Sequence, residues 1–142
     1  MYNCTTKSEV TGLEYVVDTS VIIAVLVNEE QRAKLTGLTR GVNLNAPASL
    51  HWEVGNAFSA MFKRGRLGID KALEAAGSYE RIPIRLHDVN LASSMKLAHD
   101  LALYAYDAYF IECARKLNSP LLTLDATLLQ AARQAGVAVI EV

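Results

Sequence analysis

Four acidic residues stand where an acid is costly or useful. Asp18 closes the apolar run "EYVVD" and Asp125 closes "LLTLD", each at the point where a strand pattern gives way to a helix pattern. Asp is among the preferred helix N-caps, so capping is the competing use for both. Asp107, in "YAYDAYFIECARKLN", falls within an apolar stripe of Tyr104, Phe110, Ile111, Ala114 and Leu117 at about 100° per residue, while Glu112 and Lys116 point away. Its alternative is a first-turn Asp favoured by the helix dipole. Glu53, in "HWEVGNAF", lies on the flank of a face formed by Leu50, Val54, Ala57, Phe58 and Met61, where a snorkelling surface role competes. Gathered in one crevice, such carboxylates repel by about 1 kcal/mol per pair at 4 Å in water and about 4 at an intermediate dielectric. A divalent cation relieves that repulsion, and all-oxygen ligation selects Mg²⁺ or Mn²⁺ over zinc.

Such a crevice needs elements that bring distant residues together. Strand patterns are expected near 15–18, 43–46, 83–87, 121–124 and 137–141, with helical patterns in the intervals, including apolar helices near 22–39 and 48–80. This alternation predicts an α/β fold with a parallel sheet covered on both faces. In open parallel sheets the reactive crevice lies beyond the carboxyl ends of the strands, where Asp18 and Asp125 both sit. Residues 1–14 are polar and aperiodic, so a leader is expected there and one domain over 15–142.

Composition narrows the classes further. With 142 residues and 51% apolar content the chain can bury a core without disulfides, and Cys4 and Cys113 suggest neither a disulfide framework nor a zinc cluster. A soluble, cytoplasmic protein is expected, as the longest apolar run, Val21 to Val27, is too short for a membrane span. A net charge of −1 argues against a generally basic nucleic-acid coat. One compact basic cluster, Lys63, Arg64 and Arg66, is either a local RNA contact or a solvated helix end. His51, His87 and His99 show no spacing that implies shared ligation or a triad. Trp52 and the tyrosines at 104, 106 and 109 are expected to pack rather than to stack on bases or form a dimer face.

The four blocks "VVDTSVIIAVLVNEE", "HWEVGNAF", "LYAYDAYFIECARKL" and "LLTLDATLLQAA", in that order, resemble the PIN-domain ribonucleases, in particular the VapC-type toxins of toxin–antitoxin pairs. The likeness runs from Tyr15 to Val142. It implies a three-layer sandwich with a five-stranded parallel sheet of order 3-2-1-4-5, and metal-site roles for Asp18, Glu53, Asp107 and Asp125. Ser20, Asn56 and Thr123 become supporting polar groups. It further implies metal-dependent hydrolysis of RNA phosphodiester bonds, an RNA substrate, a cognate antitoxin and a homodimer. Receiver-like phosphoacceptors share rim carboxylates but normally need a Lys at the end of a late strand, where this chain ends in "VAVIEV". A nucleotide-binding domain would want a Gly-rich turn in place of "DTSVII". A non-catalytic binding scaffold would have no need for four mutually repelling acids.

Overall fold

In the computed structural model, residues 12–142 are described. Most of the expected leader, with Cys4, lies outside them. Strand β1 (Glu14–Val17) sits at the centre of a sheet whose order is β3-β2-β1-β4-β5. Its neighbours are β2 (Asn43–Pro47) and β4 (Leu121–Leu122), with β3 (Ile84–His87) and β5 (Val139–Ile140) at the edges. All four pairings are parallel, with Val16 opposite both Asn45 and Leu121. The α/β class and the 3-2-1-4-5 order are therefore as expected. Val16, Val17, Ala46, Leu121 and Leu122 are fully buried, as strands covered on both faces must be.

Among the described residues seven helices cover the sheet: α1 (Thr19–Val27), α2 (Glu29–Thr39), α3 (Leu50–Lys63), α4 (Ile69–Glu80), α5 (Leu91–Leu101), α6 (Ala105–Leu117) and α7 (Ala126–Gln134). The two long helices expected near 22–39 and 48–80 are each divided. Asn28 breaks the first: its backbone N–H closes α1 on Ala24 while its side chain accepts from Gln31 to open α2. Gly65, in the left-handed region at φ +68°, turns the chain between α3 and α4. Each parallel crossover starts its helix at the carboxyl rim of the sheet, so α1, α3 and α7 begin directly after β1, β2 and β4. The first turn of each projects over that rim.

Two strands are shorter than their apolar runs. β4 stops at Leu122 because Thr123 and Leu124 turn to other partners: Leu124 N–H donates to Ser20 Oγ, and Asp125 N–H to Thr123 Oγ1. β5 spans only two residues because β4 offers it only Leu121 and Leu122 to pair with. Among the described residues no helix is long and apolar enough to cross a membrane. Cys113 is buried in α6, which pushes its thiol up to about 11 and leaves it protonated.

Candidate metal centre at the carboxyl rim

Asp18 bridges β1 and α1 and is only 4% exposed. Its Oδ1 accepts from Ser20 Oγ (2.7 Å) and from the Val21 backbone N–H (3.2 Å), and its Oδ2 accepts from Thr123 Oγ1 (2.7 Å). Capping and rim placement are thus one arrangement, not alternatives. The two hydroxyls join β1 to β4, since Ser20 and Thr123 also lie 3.4 Å apart. Burial nonetheless raises the Asp18 pKa, against the lowering effect of these donors, and the nearby Asp125 adds to the rise.

Glu53 sits in the first turn of α3 and is half-buried. Oε1 accepts from Thr19 Oγ1 at 3.3 Å, whereas Oε2 is buried with no hydrogen-bond partner. Ser49 Oγ, one turn earlier, is also buried and unpartnered; it lies close enough to favour the ionised carboxylate without forming a well-directed hydrogen bond. Desolvation, with Asp107 and Asp18 as like charges, pushes the Glu53 pKa up to about 7. Asp107 occupies the first turn of α6, so its first-turn reading is correct; it is also half-buried. Burial and then Asp125 raise its pKa. Asp125 is exposed and caps α7, its Oδ1 accepting from the Thr127 and Leu128 backbone N–H groups.

The four acids therefore come from four elements to one rim, each within the electrostatic reach of another. No cationic side chain offsets the raised Asp18, Glu53 and Asp107 carboxyls among the described residues. Nor do three metal-ligating side chains close on a single point there. Acceptor capacity remains at Glu53 Oε2, at Asp125 Oδ2 and on Asp107, none of which accepts a hydrogen bond among the described residues. An orphaned buried carboxylate oxygen in an all-oxygen acidic set fits a hard divalent cation.

Of the expected supporting groups, Ser20 and Thr123 touch Asp18, but the Asn56 side chain is exposed and bonds none of the acids. Around Glu53 the neighbouring hydroxyls are those of Thr19, which donates to it, and Ser49, which makes no directed bond. Lys63, Arg64 and Arg66 are exposed at the far end of α3, roughly 15 Å along the axis from Glu53 at 1.5 Å per residue. The histidines are dispersed as expected: His51 meets Tyr79, His87 meets Asn45 and His99 meets Asp100. Of the aromatic residues expected to pack, Tyr109 is half-buried and the other three are exposed. Trp52 is 71% exposed, Tyr106 57% and Tyr104 85%, because Tyr104 is the N-cap of α6 and not part of its buried stripe.

Comparison with known proteins bears on the family and the fold. The PIN domain family profile matches residues 15–134. The chain is 28% identical over 113 residues to VapC ribonuclease Mb0985 of Mycobacterium bovis, covering 80% of this chain and 87% of that protein. Among solved structures, PAE2754 from Pyrobaculum aerophilum superposes with a TM-score of 0.68 at 21% identity, over 89% of this chain and 83% of that one. VapBC2 from Rickettsia felis, bound to a DNA fragment from its promoter, gives 0.64 at 11% identity, over 90% and 98%. The two structural likenesses bear on the fold.

Proposed function

As this chain belongs to the PIN-domain family, we propose that its acidic rim is the active site of a metal-dependent endoribonuclease that hydrolyses RNA phosphodiester bonds. The protein would be the toxin of a toxin–antitoxin pair, with a cognate antitoxin and a second copy of itself as partners. The relatives named VapC ribonuclease support the RNA-cleaving activity, and the VapBC2 assembly supports an antitoxin partner. The observation that carries the reading is Glu53 Oε2, a buried carboxylate oxygen with no donor, beside two further acids that raise its pKa.

Asp18, Glu53, Asp107 and Asp125 would hold the ion, Mg²⁺ or Mn²⁺. When bound, the cation supplies charge neutralisation and Lewis-acid polarisation of the phosphodiester. The side chains around it do the rest. Ser20 and Thr123 fix both oxygens of Asp18, so that carboxylate is set before substrate arrives. Glu53, pushed up to about 7 in the metal-free protein, would give up its proton to hold the ion, so loading of the site would strengthen as pH rises through that value. Thr19 holds its other oxygen and so aims Oε2. Lys63, Arg64 and Arg66 would meet a more distant phosphate of the same strand.

The test is incubation of the purified protein with tRNA, rRNA and mRNA fragments in Mg²⁺ or Mn²⁺, with chelator and Asp107→Asn as controls. Cutting that needs the metal and is abolished by the substitution is the expected result. Phosphorylation by a small phosphodonor without cutting would favour a receiver-like phosphoacceptor instead.

A further inference from the structure

The strand register carries the rim beyond its acids. Val17 of β1 stands opposite Leu122 of β4, and Leu122 opposite Ile140 of β5. The residues that follow these three are Asp18, Thr123 and Glu141, which therefore leave the sheet side by side. Asp18 and Glu141 are two strand spacings apart in that row, roughly 10 Å between backbones.

A cavity of about 220 Å³ opens at this end of the rim. It is lined by Thr123 and Asp125 at the acidic rim, by Ala126 and Leu129 of α7, and by Glu141 and Val142 after β5. Its link to the proposed metal centre is direct, because Asp125 is one of the four acids and the Thr123 hydroxyl donates to Asp18 at 2.7 Å. The polar chemistry of the lining side chains is one-sided. Thr123 has committed its proton to Asp18, and ionised Asp125 and Glu141 can only accept. Arg133 meets Glu141 Oε2 at 3.0 Å and so ties that carboxylate, while Oε1 has no partner among the described residues.

A group that suits such a cavity is a flat body with N–H donors along one edge, which describes a nucleobase. Guanine alone among the four RNA bases offers two adjacent donors, N1–H and N2–H, to the two oxygens of one carboxylate. Adenine and cytosine set an acceptor nitrogen beside the amino group, and uracil flanks its single N–H with two carbonyls.

We propose that this cavity takes a guanine base next to the scissile phosphate, and that Glu141 selects it. This rests on the ribonuclease reading and gives it a sequence preference at the cut.

The experiment has a binding arm and a cutting arm, both on the full chain in Mg²⁺ buffer. In the first, the isotope-labelled protein is titrated with each of the four nucleoside 5′-monophosphates and followed by nuclear magnetic resonance. All four carry the same phosphate, so a difference among them reports the base. Amide shifts at Ala126, Leu129 and Val142 are expected, with guanosine monophosphate binding about tenfold more tightly than the others. In the second, cuts in a mixed-sequence RNA are mapped and should concentrate beside guanine. Glu141→Gln should level both preferences. Arg133→Gln, which removes the ion pair but keeps the carboxylate, should preserve them. Equal affinity for the four nucleotides, cuts indifferent to the neighbouring base, or an equal effect of the two variants would overturn the inference and leave any observed cutting to the nuclease. Guanine-selective binding at this cavity with no RNA cut would sink the nuclease and keep Glu141 as a guanine site.

Discussion

Glu53 carries a folded-state pKa of about 7 against an ordinary 4.5, which makes the free protein sensitive to pH in a defined direction. A raised carboxyl pKa means that the native state binds more protons than the unfolded state, so stability is fully present below about 4.5 and is lost as pH rises through about 7. In chelator, the melting temperature should fall between about pH 5 and pH 8, and Glu53→Gln should flatten that fall. Scanning calorimetry across the range checks it; a melting temperature that rises over the same interval would contradict it. Asp18 shares the direction of that shift, but both of its oxygens are already bonded. Ser20→Ala or Thr123→Ala removes one donor and should cost about 1–3 kcal/mol in urea unfolding. Asp18→Asn keeps the capping acceptor and should fold, while losing about a hundredfold or more in RNA cleavage.

Legibility at this scale followed how local each signal was. Asp18 and Asp125 could be read because a strand end and a helix cap coincide in a few adjacent residues. Thr19 and Ser49 could not, since their relation to Glu53 depends on how the starts of α1 and α3 meet. Asn56 shares a helix face with Glu53 by spacing, but one turn further along the side chain clears the rim and reaches solvent. Asn45 escaped notice altogether. It is 1% exposed, and joins Glu14 (2.8 Å) to His87 (2.8 Å) across three strands, a pairing set by sheet register alone.

At the scale of elements, alternation of period-2 and period-3.6 patterns was sufficient for the order of strands and helices, and boundaries failed where side chains overrode the backbone. The stop of β4 at Leu122 depends on Thr123 turning to Asp18, a contact more than a hundred residues away in sequence. Between α1 and α2 the single Asn28 closes one helix and caps the next, so a continuous apolar pattern concealed a break. Asn28→Ala should cost about 1 kcal/mol in urea denaturation, and no measurable loss would mean that tertiary packing alone sets the break. The turn that delivers α6 contains Ala102 in the left-handed region at φ +56°, which an L-residue resists. Ala102→Gly should therefore raise stability by up to about 1 kcal/mol in the same assay, the relief of strain outweighing the added chain entropy.

The whole molecule couples these levels. A parallel sheet of order 3-2-1-4-5 places the carboxyl ends of β1, β2 and β4 on one edge, and each following helix starts with a polar or acidic residue over that edge. The apolar core that sets this geometry pays no regard to the repulsion it creates, so the cost falls on whatever occupies the rim. The proposed activity rests on Asp18 and Asp107, with Glu53 and Asp125 beside them, holding a divalent cation at this rim. The most direct measurement is the anomalous scattering of Mn²⁺ soaked into crystals of the protein. A peak within coordination distance of both Asp18 and Asp107 is expected; Mn²⁺ bound only elsewhere, or no peak at the rim at saturating metal, would contradict the account.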